Sequence, residues 1–188
     1  MYTKQTKKLL SLVMAGLLLF SAGCQNRSKN NSQLETTVPA VEIQAELGKE
    51  AEYGGMKLTV LSAENPDIIM EQSGKMAVFF QVQITNSTDE TIPANWLNNF
   101  SITVDGTDYD SDVCCTIPVM KELYDFYGFD AMNEEIAPGE SKTGYVACEA
   151  DKDFQELSFH YIPKTTDRAS KITVTVTKDQ LEKAEKKS

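Results

Sequence analysis

One histidine, one tryptophan and no Cys-x-x-Cys pair in 188 residues remove most common routes to catalysis and to structural zinc. There is no GxSxG elbow to lift a nucleophile off a strand-to-helix turn, and no HExxH to hold a metal on one helix face. Gly139-Glu-Ser-Lys-Thr-Gly144 has the letters of a phosphate loop but not their order. It reads as a turn entering a strand. Basic residues are also scarce, 18 against 28 acidic ones, which argues against nucleic acid and against electrostatic binding to an anionic membrane. Paired carboxylates such as Glu134-Glu135, which a glycosidase would need, are always available in so acidic a chain. The expectation is a protein that is not an enzyme and carries no cofactor.

The only long apolar run, Leu9 to Phe20, is too short to span a bilayer, which needs about 20 such residues. It follows Lys4, Lys7 and Lys8 and ends in Ser21-Ala22-Gly23-Cys24, the order of an export signal. This segment resembles the lipobox of bacterial lipoproteins, with Ser21 where leucine is usual. The resemblance implies cleavage after residue 23 and lipid on the Cys24 sulfur. An ordinary signal peptide cut near Ala22 or Gly23 is the alternative. Two or three acyl chains give stable anchoring, because each buried methylene contributes about 0.8 kcal/mol. Loss of residues 1–23 removes three lysines and no acid, so the formal charge of −10 becomes −13. Residues 24–46 then read as a flexible polar linker, and residues 179–188 as a polar tail.

Residues 47–178 have the size of one domain and a β pattern throughout. Met76, Val78, Phe80, Val82 and Ile84 alternate with Ala77, Phe79, Gln81 and Gln83, as in a strand with one buried face. The same period marks strands through Met56–Val60, Phe100–Val104, Leu157–Tyr161 and Ile172–Val176. Pro138-Gly139 announces a further strand over Thr143–Glu149, and Asp105-Gly106 predicts a type I′ hairpin into Thr107–Tyr109. About seven short strands without alternating helices predict an all-β, antiparallel sandwich. Trp96 is expected to cap its core.

Four stretches carry a family resemblance: GKEAEYGGMKLTV, GKMAVFFQVQITNSTDETI, FSITVDGTDYDSD and IAPGESKTGYVACEA. Together they resemble an immunoglobulin-like, telokin-type domain of unknown function widespread in surface lipoproteins of Gram-positive bacteria. The resemblance covers residues 47–177 and implies the sandwich fold. It brings no catalytic residues.

Between the Cys114-Cys115 strand and Pro138 lies a longer segment than this pattern needs, with a predicted helix over 119–127 and Val119, Leu123 and Phe126 on one face. Tyr124, Tyr127 and Phe129 would then be partly exposed and could contact a partner. Alternatively the whole segment folds over an open end of the sandwich as a lid. Among the cysteines, Cys148 shares a face with Val146, and Cys115 with Val113 and Ile117, so a Cys115–Cys148 disulfide is expected. Cys114–Cys148, or free thiols, are the alternatives. A bond of this kind closes a loop of about 30 residues and stabilises by about 3 kcal/mol.

Asp108, Asp110 and Asp112 imitate the start of a calcium loop, but Val113 stands where glycine is needed and Val119 where the bidentate glutamate belongs. The lone His160 is expected on the polar face of its strand, and no metal site is expected. The functional expectation is a lipid-anchored, extracytoplasmic binding or accessory module at the cell membrane, with a surface protein or envelope component as partner. The alternative is a lipoprotein that binds metal or a small solute through its acidic loops.

Overall fold

The computed structural model describes residues 39–68, 74–95, 98–109 and 118–187. The chain divides into residues 1–37 and 38–188, and everything described belongs to the second unit. Ser21, Cys24, Trp96, Asp110, Asp112, Cys114 and Cys115 lie outside the described residues.

Strands are numbered along the chain. The seven expected ones are present: β3 (Met56–Asn65), β4 (Met76–Asn86), β6 (Phe100–Val104), β7 (Thr107–Tyr109), β9 (Ser141–Ala150), β10 (Glu156–Tyr161) and β11 (Lys171–Thr177). Five short ones join them: β1 (Glu42–Ala45), β2 (Glu50–Tyr53), β5 (Ile92–Asn95), β8 (Asn133–Ile136) and β12 (Glu182–Lys183). β1 and β2 alternate polar and apolar residues over only four positions, β5, β8 and β12 show no such alternation, and backbone pairing defines all five. One sheet runs β1-β11-β10-β6-β7; a second runs β12-β3-β4-β9, with β2 also on β3; β5 and β8 form a small ribbon. Pairing is antiparallel except at two edges, where β1 lies parallel to β11 and β12 parallel to β3.

The two large sheets face each other across one core. From the first come Phe100, Ile102, Phe159, Tyr161 and Val174; from the second, Leu58, Val60, Phe80, Val82 and Val146. Phe80 meets Phe159 at 4.7 Å, and Phe159 meets Phe100 at 5.5 Å. Each such ring contributes about 1.5–3 kcal/mol by leaving water. In β3 the pairing register shifts between Val60 and Ser62. A bulge there exposes Leu61 while Val60 and Ala63 both stay in the core.

Turn chemistry sets the register. Asp105 and Gly106 have φ of 48° and 79°, the two positive values of a type I′ turn, and Gly54-Gly55 make the equivalent turn from β2 to β3. At the end of β4, the buried Asn86 donates from Nδ2 to the carbonyls of Glu90 and Ile136, and its Oδ1 accepts from the amide and hydroxyl of Thr88. One side chain thereby fastens β4 to the end of β8.

Two expected boundaries move. The linker predicted to reach residue 46 is in the sheet by β1, and Lys171 N–H already donates to the Val41 carbonyl. The predicted tail 179–188 is docked as well: after a 3-10 turn at Lys178–Gln180 it forms β12, and Ala184 N–H and Lys187 N–H donate to the carbonyls of Asn65 and Tyr127. Both segments are held by main-chain bonds, which a hydropathy pattern does not display.

Candidate functional site

The expectation that β4 buries one face holds only for its second half. Gln81 and Gln83 point away from the core and are partly or fully exposed, but Ala77 and Phe79 on the same outer face are fully buried. What covers them is a second apolar cluster of Phe79, Leu123, Tyr124, Tyr127, Phe129 and Tyr145 with small residues around it.

The cover is α1 (Pro118–Tyr127), close to the predicted helix. Proline suits its first position, since that N–H has no partner inside the helix, and Lys121 pairs with Asp125 one turn on at 2.7 Å. It stops at Gly128, whose φ is 68°, with Phe129 N–H donating back to the Tyr124 carbonyl at 3.0 Å. That is the Schellman arrangement, for which Tyr127-Gly128-Phe129 is a readable signal.

The partner-contact reading of Tyr124, Tyr127 and Phe129 is corrected by their burial: they are 7%, 8% and 6% exposed. The segment is a cover, lying on the outer face of the β4–β9 sheet instead of over an open end. Burial is tolerable because each tyrosine satisfies its hydroxyl: Tyr124 donates to the Tyr145 carbonyl at 3.0 Å and Tyr127 to the Pro66 carbonyl at 3.3 Å. Phe126, placed inward by the predicted face, is instead 56% exposed. The two tyrosines displaced it from the buried stripe.

Aromatic geometry is tight here. Phe79 meets Tyr124 edge-on at 5.1 Å, and Phe129 lies parallel over Tyr145 at 3.9 Å. The docked C-terminal segment roofs the stack, with Lys187 Nζ 4.6 Å from the Tyr145 ring centroid and Lys186 Nζ 4.7 Å from that of Phe126. Burial, and then Glu64, push the Tyr145 phenol well above its usual pKa, so it stays protonated and donates to Glu64 Oε1 at 3.3 Å.

A strap follows the helix. Tyr145 N–H donates to the Asp130 carbonyl at 2.7 Å and Met132 N–H to the Tyr145 carbonyl at 2.8 Å. Gly144 permits this approach, because a Cβ there would sit 3.0 Å from the backbone of Met132 and 3.2 Å from the Asp130 oxygen. The Pro138-Gly139…Gly144 pattern therefore includes a contact glycine that sequence reasoning treated only as part of a turn. Between helix and strap lies an open cleft of about 500 Å³ lined by Lys121, Tyr124, Asp125, Phe129, Asp130 and Glu134.

The remaining candidate residues do not converge. Asp105 Oδ1 accepts from the amides of Gln155 and Glu156, and Asp108 accepts from the Thr103 hydroxyl, so both carboxylates are engaged in holding turns. No cluster of three metal-ligating side chains occurs among the described residues. Glu134 and Glu135 are neighbours on β8 and so project to opposite sides. Cys148 is fully buried in the main core opposite Val78, on the face its parity indicated, while Cys114 and Cys115 lie outside the described residues.

Solved structures of low identity resemble the chain. A Bacillus subtilis protein named as a candidate lipoprotein (ycdA) superposes with a TM-score of 0.50 at 11% identity, over 69% of this chain and 38% of its own. This chain thus spans well under half of that protein. A candidate lipoprotein of Staphylococcus aureus matches at TM-score 0.47 and 12% identity over 73% and 97%, and an uncharacterized β-sandwich protein of Clostridium difficile at 0.44 and 15% over 74% and 97%. No curated protein matches. The sandwich from β1 into β11, residues 45–172, matches the model of a domain of unknown function, DUF4352, and the chain belongs to that family.

Proposed function

We propose that the protein is a lipoprotein held at the extracytoplasmic face of a Gram-positive cell membrane through Cys24, where it acts as a non-catalytic module that binds another protein through α1. The Lys4–Cys24 pattern supports the anchoring half, and the name of the Bacillus subtilis neighbour agrees with it. Phe126 carries the binding half. It is the most exposed large apolar side chain among the described residues, it stands on the element that is extra to the sandwich, and Lys186 lies over its ring. Exposed aromatic side chains are enriched at the cores of protein interfaces.

A pull-down from detergent-solubilised native membranes with the full chain tests the binding half. A protein partner should be retained by the wild type and lost with Phe126→Ala; retention of no protein, or equal retention by the variant, refutes it. Anchoring is tested separately, by incorporation of radiolabelled palmitate that Cys24→Ala abolishes.

A further inference from the structure

On the outer face of the first sheet the single histidine closes a continuous chain of polar contacts. His160 is 4% exposed, although it points away from the core. Its Nε2 lies 2.7 Å from Thr103 Oγ1 and its Nδ1 2.9 Å from Thr173 Oγ1. Thr103 Oγ1 in turn lies 2.7 Å from Asp108 Oδ1, and Thr173 Oγ1 2.8 Å from Glu42 Oε1. The order is carboxylate, hydroxyl, imidazole, hydroxyl, carboxylate, and it crosses the sheet from β1 to β7.

Counting protons identifies what this arrangement lacks. An ionised carboxylate only accepts, so each threonine must spend its one hydroxyl proton on its carboxylate. Both ring nitrogens must then donate to the hydroxyls. A neutral imidazole has one N–H. With neutral histidine and two ionised carboxylates, four contacts share three protons; one threonine must turn towards the ring and release its carboxylate. One additional proton satisfies all four contacts.

We propose that Glu42, Thr173, His160, Thr103 and Asp108 form a proton-binding relay, in which uptake of one proton by the imidazole is coupled to simultaneous engagement of Glu42 on β1 and Asp108 on β7. The charged groups facing the ring are Glu42 from β1, Asp108 from β7 and Lys171 from β11, the last 3.9 Å from Glu42 Oε1. β6 contributes the uncharged Ser101 and Thr103. Burial first, and then Lys171, hold the ring's pKa down to about 4, while Glu42 and Asp108 raise it. The ring is therefore neutral near pH 7, and the relay fills as the surroundings become acidic. By linkage, whatever secures the two carboxylates favours the ring proton, and the ring proton favours their engagement. A lone histidine on a polar strand face is thereby a sensor of acidity linking both edges of one sheet.

The test uses the full chain, whose one histidine gives a single imidazole Cε1–H resonance, followed by NMR from about pH 8 to about pH 3.5. Replacing Thr103 or Thr173 by valine should lower the midpoint by about half a unit or more, because each hydroxyl relays the ring's positive charge to a carboxylate. Thr173→Ser should keep the wild-type midpoint. The Thr103 and Thr173 methyl resonances should move with the midpoint of the ring. A midpoint unchanged or raised in either valine variant overturns the relay. Should those variants fail to fold, Glu42→Gln, at the sheet edge, must lower the midpoint in the same way, and an unchanged value there is equally fatal.

Discussion

The two outer faces of this sandwich solve the same problem in opposite ways. On β4 and β9 the outward residues include Ala77, Phe79, Tyr145 and Ala147, and they are buried under α1 and the C-terminal segment. On β10 and β11 the outward residues include Ser158, His160, Thr173 and Thr175, which bond laterally across the sheet. The first face is stabilised by taking aromatic rings out of water, which is non-directional and large; the second by satisfying polar groups, which is directional and small in net terms. The apolar face can therefore carry an extra element, and the polar face can respond to protons.

The largest expected effects lie on the aromatic face. Phe79→Ala, or Tyr124→Ala with Tyr127→Ala, should cost about 3–5 kcal/mol in urea unfolding, the usual penalty for emptying a packed aromatic site. A loss below about 1 kcal/mol would show that α1 does not cover the sheet in solution. Gly144→Ala should cost about 1–3 kcal/mol as the strap is forced off β9, with faster hydrogen exchange at the amides of Tyr145 and Met132.

Acid tests the polar face. The His160 pKa is lowered from 6.5 to about 4 on folding, so between these values the unfolded chain binds more protons. The stability of the neutral ring is complete above pH 6.5 and is lost as pH falls towards about 4. The wild type should therefore lose more melting temperature over that window than His160→Gln does, and Thr173→Val should lose more still. Equal slopes would mean that the ring does not titrate on folding. A smaller effect belongs to the core between the faces: the Tyr161 hydroxyl is buried without a hydrogen-bond partner, and Tyr161→Phe should raise stability by about 1 kcal/mol. Smallest of all, Thr175→Val on the exposed part of the polar face should stay within about 0.5 kcal/mol of wild type.

Much of the fold was readable because burial on one side of a strand imposes a period of two. Seven strands, the Asp105-Gly106 turn and the helix near residue 119 all follow from local pattern. The five missed strands are short and are defined by backbone pairing, which side-chain alternation does not report. Parity placed Cys148 correctly in the core, yet the same rule put Phe79 on an open face, since a period of two cannot say whether something else covers that face. The misplaced exposure of Tyr124 and Tyr127 has a related origin. A tyrosine's hydroxyl reads as polar until the carbonyl that accepts it is known.

By itself the sequence determined the class of molecule: an acidic β-sandwich with one extra helix. These properties depend on composition and on spacing between near neighbours. Tertiary structure alone decided that the helix lies on β4 and β9, that the C-terminal segment roofs it, and that Phe126 is left outside. It alone also aligned Glu42, Thr103, Asp108, His160 and Thr173, residues up to 131 positions apart. Long-range register brings such groups within hydrogen-bond distance, and no local period encodes it.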